Sequence, residues 1–171
     1  INIISNYEEI NNPQIPLPAD IFLPQRENSK GYDLENEKTR KRFIDVIIEN
    51  KNNYNAFSLI NNTNQNGDNL IEVFNPSNLM EVIGKVSFAN EKITKDSIEI
   101  ASNFFPEWKQ TSVSKKIIII KKFAKLLEEN TDELIKLCVY EAGKTIKDSI
   151  NDLREAVDFC HYYSSEAKKL F

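Results

Sequence analysis

An α+β fold, mostly helical, is what this chain predicts, and three observations carry the reading. Four of the six prolines, Pro13, Pro16, Pro18 and Pro24, fall within residues 1–30, where a fixed φ and a missing amide donor favour an extended path. Two apolar runs, Leu70-Ile71-Glu72-Val73-Phe74 and Glu81-Val82-Ile83-Gly84-Lys85-Val86-Ser87-Phe88, flank the turn-forming residues Asn75-Pro76-Ser77-Asn78. From Thr94 onward, apolar residues recur at spacings of three and four with no further strand signal. The expected architecture is an extended N-terminal strap, an antiparallel strand pair and then about four helices.

Residues 1–34 are expected to form the Pro-rich strap or linker, laid on the surface of one domain spanning 35–171. Over residues 37–50, Phe43, Val46, Ile47 and Ile48 sit at helical intervals among charged neighbours. The Asn-rich stretch 50–69 is interrupted by Tyr54-Asn55-Ala56-Phe57-Ser58-Leu59-Ile60, which reads as a strand, and closes on the turn signal Asn66-Gly67-Asp68. After the strand pair, Thr94 can cap a helix in which Ile98, Ala101 and Phe105 share a face, and Pro106 is expected to end or bend it.

The next helix spans residues 112–129. Val113, Ile117, Ile120, Ala124 and Leu127 form its stripe, and Lys115, Lys116, Lys121, Lys122 and Lys125 clothe much of the rest as a solvated face. Asn130 with Glu133 fits a capping box for a third helix, and Gly143 stands where a left-handed cap ends it. In the last helix Ile146, Ile150, Leu153, Val157 and Cys160 hold a four-three-four-three stripe. Ala156, Phe159 and Tyr163 extend the apolar surface to a second side, as in a helix sandwiched between neighbours.

Composition narrows the function classes. With 171 residues, 40% hydrophobic and 28% charged, and a net charge of -4, the chain suits a soluble globular domain with no field for a nucleic-acid backbone. Its longest apolar run, Ile117-Ile118-Ile119-Ile120, is far short of the roughly 18 residues of a membrane span. Two cysteines, Cys138 and Cys160, make no disulfide framework, and a reducing cytoplasm is expected.

Few constellations survive a geometric test. Gly143-Lys144-Thr145 mimics the tail of a phosphate-binding loop, but Cys138 stands where that motif needs glycine. Four glycines, Gly31, Gly67, Gly84 and Gly143, cannot assemble a dinucleotide fingerprint. His161, the single histidine, lacks the companions a metal requires and is expected at the surface or its boundary. Its neighbour Cys160 points about 100 degrees away on a helix and cannot share its proton. Both thiols are expected to act as small hydrophobes, and Trp108 as a core anchor. Glu155, beside Asn151, Asp152, Phe159 and Tyr162 by helical spacing, is an acidic group adjoining aromatic surface.

Asn75-Pro76-Ser77, Val82-Ile83-Gly84-Lys85-Val86, Phe104-Phe105-Pro106-Glu107-Trp108 and Glu141-Ala142-Gly143-Lys144-Thr145 stand in the order seen near the N-terminus of aldehyde dehydrogenases. Pro16-Leu17-Pro18-Ala19-Asp20-Ile21-Phe22, residues 26–34 and Leu153-Arg154-Glu155-Ala156-Val157-Asp158-Phe159-Cys160-His161-Tyr162-Tyr163 resemble the 1-pyrroline-5-carboxylate dehydrogenase module of bifunctional proline utilisation A, although Ala19 replaces the usual arginine. The resemblance implies a truncated N-terminal portion of the NAD-binding domain of an enzyme that oxidises glutamate semialdehyde to glutamate with NAD. It implies that the family's cysteine nucleophile, glutamate base and oxyanion asparagine lie later than this chain reaches. No catalytic, cofactor-binding or metal-binding residue is therefore assigned here, and the chain alone is expected to be inactive. Glu155 matches a position facing the family's aldehyde tunnel. The expected partner is the remainder of the dehydrogenase polypeptide, or a second copy met through exposed apolar helix faces; a split-gene subunit that complements the remainder is the alternative.

Overall fold

The computed structural model describes residues 14–49 and 53–171. The first thirteen residues of the expected strap, Pro13 included, and residues 50–52 lie outside the described residues. Pro18–Asp20 forms a 3-10 turn, and Asn28 closes the curl behind it, its amide donating to the Ala19 carbonyl at 3.0 Å and its side chain to that of Pro18 at 3.1 Å. Residues 18–25 therefore coil where an extended path was expected. Proline's fixed φ serves a tight turn as well as a straight run.

Helix α1, Glu37–Glu49, starts where the Asn36 side chain accepts the amides of Lys38 and Thr39 at 2.9 and 3.2 Å. The single strand expected over residues 54–60 is two, broken at Phe57. Strand β1, Tyr54–Ala56, joins one sheet, and β2, Ser58–Ile60, forms a separate hairpin with β3, Thr63–Gln65. Asn61 and Asn62 bridge that hairpin with φ of 49° and 58°, the left-handed pair a two-residue hairpin loop demands and asparagine tolerates.

The expected antiparallel pair is β4, Leu70–Asn75, and β5, Asn78–Ser87, with Leu70 opposite Ser87 and Val73 opposite Gly84. Between them the Asn75 side chain accepts the Ser77 amide at 2.9 Å. On the far edge β1 pairs parallel with β5, so the sheet runs β1-β5-β4. Gly84 permits this, because a Cβ there would collide with the Tyr54 carbonyl.

Helix α2, Glu91–Gln110, is capped by Asn90, which accepts the Ile93 amide at 3.0 Å, and not by Thr94, whose hydroxyl donates back to the Asn90 carbonyl. Pro106 lies inside the helix and does not end it. The lost bond falls on exposed backbone around Ser102 and Pro106, where water can serve the orphan carbonyl. Helix α3, Val113–Glu129, begins at Ser112 as expected.

Helix α4, Thr131–Ala142, has no side-chain cap. The expected capping box fails because Asn130 turns back to the Leu126 carbonyl at 2.8 Å and Glu133 accepts the Tyr54 hydroxyl at 2.7 Å. Gly143, at φ 63°, ends α4 in the left-handed conformation. Thr145 then caps α5, Ile146–Leu170, by accepting the Asp148 amide at 3.1 Å.

The core lies where α1, α4 and α5 meet beneath the strap. Phe43, Ile135 and Ile150 are buried there against Tyr32, Leu34, Ile146 and Leu153, with the Tyr32 ring edge-on to Phe43 at 5.3 Å. Ala124 and Val157, each 1% exposed, mark the packing of α3 on α5. Burying Phe43 alone removes enough apolar surface to contribute about 2–3 kcal/mol.

Candidate functional site

Helix α5 organises the molecule, because each of its sides meets something different. One side holds the strap. Asp158 accepts the Ser29 amide at 2.6 Å through Oδ1 and the Ser29 hydroxyl at 3.0 Å through Oδ2, while Arg154 Nε donates to the same hydroxyl at 3.3 Å. Lys30 adds its amide to Glu128 on α3 at 3.1 Å. Farther along, the Arg26 guanidinium lies 3.8 Å from the Phe22 ring centre and 5.7 Å from that of Tyr162. None of these partners carries a local signal, since Ser29 and Asp158 are 129 residues apart, and sequence reasoning missed them.

The opposite side is bare. Phe159 and Tyr163 stand 50% and 62% exposed, and with Ile117 and Ile120 of α3 they wall an apolar groove of about 620 Å³ running to Phe171. Lys109 and Lys116 line the same groove, the Lys116 ammonium lying 5.0 Å from the Trp108 ring centre. Trp108 is 38% exposed, so it packs under a lysine at the groove and not in the core as expected. The aromatic stripe of α2 and α5 has the polarity of an interior but faces outward, which marks an interaction surface.

Glu155 is exposed on α5. It sits one helical turn, about 6 Å, before Phe159, just outside the groove, with no hydrogen bond or ion pair among the described residues. The structure thus places it on the outward side of α5 beside aromatic surface, with Asp152 and Asp158 three residues away on either side along the same helix.

The remaining reactive groups are held inert or built into the scaffold. Burial pushes the Cys138 thiol above its usual range, with Asp152 raising it further, and burial likewise pushes up Cys160; neither is primed as a nucleophile. Both are free thiols. His161 is buried at 7% exposure, not at the boundary as expected. It follows Val157 on the inward stripe, and its Nδ1 has no hydrogen-bond partner among the described residues, Glu27 being 3.9 Å away. The Lys144 ammonium pairs with Asp152, which raises its pKa. A Cβ on Gly143 would meet Pro76 at 3.0 Å, so that glycine packs against the β4–β5 turn and is not open to a phosphate. No cluster of metal-ligating side chains occurs among the described residues, and no helix among them is long and apolar enough to cross a membrane.

Comparison with known proteins gives this geometry a context. The pattern of the aldehyde dehydrogenase family matches residues 62–171. The chain is similar to the bifunctional protein PutA of Escherichia coli, 32% identical over 161 residues, covering 94% of this chain and 12% of that protein. It is 35% identical over 103 residues to a 1-pyrroline-5-carboxylate dehydrogenase of Geobacillus, covering 60% of this chain and 20% of the relative. Its backbone also follows a crystal structure of 1-pyrroline-5-carboxylate dehydrogenase from Thermus with bound NAD, at a TM-score of 0.74 and 24% identity, over 81% of this chain and 27% of that one. The chain therefore spans between 12% and 27% of the length of these three proteins.

Proposed function

Given that the chain belongs to the aldehyde dehydrogenase family, we propose that it forms the N-terminal portion of the NAD-binding domain of a 1-pyrroline-5-carboxylate dehydrogenase in proline catabolism. In that reading it contributes structure and not chemistry. The observation that carries it is the extent of the likeness to the Escherichia coli protein: 94% of this chain, strap included, against 12% of that relative. The complete enzyme would oxidise glutamate semialdehyde with NAD. Residues 1–34 serve as the strap and 35–171 as the domain portion.

This chain's own residues do not fit the dinucleotide, and no step is derived through it. Gly84 lies under the Tyr54 carbonyl and Gly143 against Pro76, which leaves neither as a phosphate cradle. What the chain supplies is position. Asp158 and Arg154 clasp the strap, the Phe43 core fixes α5, and α5 presents Glu155 outward. We assign Glu155 the task of holding the substrate's ammonium group by a charge-assisted hydrogen bond once a tunnel wall closes over it.

The test is an assay of the isolated chain for NAD-dependent oxidation of 1-pyrroline-5-carboxylate. No turnover is expected, and measurable turnover would refute the reading. A second reading, a separate subunit that docks on the rest of the dehydrogenase, draws its support from the open apolar groove of about 620 Å³. Mixing the chain with a separately produced remainder distinguishes the two, because only a genuine subunit restores activity.

A further inference from the structure

The turn leading into β4 holds the chain's single Asn-Gly pair, Asn66-Gly67. Asparagine followed by glycine is chemically labile, because a residue without Cβ lets its amide nitrogen reach the carbonyl carbon of the preceding side chain. Packing nevertheless demands glycine at this place. A Cβ on Gly67 would collide with the Phe88 carbonyl, so the fold keeps the residue that makes its neighbour reactive. Asn66 is exposed, and its side chain has no hydrogen-bond partner among the described residues. Asn28 is the contrast, since its Nδ2 donates to the Pro18 carbonyl and its Oδ1 accepts from Arg26, each at 3.1 Å.

What restrains the pair is Ser87, the last residue of β5. Its hydroxyl oxygen accepts the Gly67 amide hydrogen at 2.7 Å, and Ser87 is 3% exposed, so the bond is shielded from water. An amide nitrogen attacks only after giving up its proton, and this one is held. We propose that Asn66 is a site of deamidation gated by Ser87. When the gate opens, the Gly67 nitrogen bonds to Asn66 Cγ, the Cγ–Nδ2 bond breaks, and ammonia leaves, the Gly67 proton making up its third hydrogen. Water then opens the resulting cyclic imide at either carbonyl, which gives an aspartyl or isoaspartyl residue at position 66. The isoaspartyl form threads one more backbone atom through a slot with no room for a Cβ. It therefore displaces Asp68, which accepts from the Asn90 side chain at 2.8 Å, and Asn90 caps α2. The site is separate from the α3–α5 groove and independent of the dehydrogenase reading.

The experiment incubates the full chain in mildly alkaline buffer, native and in denaturant, and follows position 66 by peptide mass spectrometry. Conversion is expected in denaturant and at least about tenfold more slowly in the native chain, because only locally opened molecules react. Ser87→Ala removes the acceptor and should speed native conversion at least about fivefold. Two readouts do not depend on how that variant folds: the native-to-denatured rate ratio, and hydrogen exchange of the Gly67 amide in the unsubstituted chain, which should be protected. No conversion at position 66 in denaturant, equal rates in the two states, an unprotected Gly67 amide, or a Ser87→Ala chain that converts no faster would each overturn the proposal.

Discussion

Asp158 grips Ser29 with both carboxylate oxygens, one on the amide at 2.6 Å and one on the hydroxyl at 3.0 Å. Ser29 is 1% exposed, so water cannot replace either bond if the carboxylate is removed. Asp158→Ala should therefore cost about 2–3 kcal/mol in urea unfolding, and Asp158→Asn, which keeps one acceptor, about half as much. A loss under about 0.5 kcal/mol for the alanine variant would mean that the strap is not held by this clasp.

Gly143→Ala tests the joint between α4 and α5. The position has φ 63°, and a Cβ would press on Pro76 at 3.0 Å. A left-handed alanine costs about 1–2 kcal/mol before the contact is counted, so the melting temperature should fall by several degrees. An unchanged melting temperature would show that the joint can relax.

The thiols give a pH dependence with a definite sign. Cys138 and Cys160 are raised in the folded chain, chiefly by burial, so the unfolded state loses its protons first as pH rises. Stability is fully present below the unfolded thiol's pKa of about 8.5 and declines above it. Alkylation near that pH should run more slowly on the native chain than on the chain in denaturant. Equal rates would contradict the shift.

Much of the fold was legible because its signals are local. Ser112, Gly143 and the turn between β4 and β5 each act within a few residues, and each sits where expected. Errors arose where a distant partner outbid a neighbour. Glu133 completes a capping box by spacing, yet Tyr54, 79 positions away, takes its carboxylate. The β1 strand lacks any local mark of a parallel partner, since its pairing with β5 depends on Gly84. His161 looked like a surface residue by type, but it continues the inward face of α5, where Val157 and Ser164 are also buried. At the candidate site, Glu155 could be placed by spacing, whereas Asp158 owes its role to a tertiary neighbour, Ser29 of the strap.

The groove makes a prediction about assembly. Ile120 and Phe159 are 41% and 50% exposed, so Ile120→Asp with Phe159→Asp should leave the circular dichroism spectrum unchanged. The same pair should reduce restoration of activity by a separate remainder at least about tenfold, because a docking surface depends on its apolar centre. Undiminished restoration would remove the groove from the interface.

Glu155 is tested in that restored enzyme. Glu155→Gln keeps the size and removes the charge, and it should raise KM for 1-pyrroline-5-carboxylate about tenfold with kcat within about twofold. An unchanged KM would leave the residue a solvated carboxylate.

The clasp also sets an order of events during synthesis. Its two halves are separated by 129 positions, so at about 5–20 residues per second the ribosome needs some 6–26 s after making the first half to supply the second. Throughout that interval the proline-rich leader has nothing to grasp, and it stays open to chaperones and proteases until the last helix emerges.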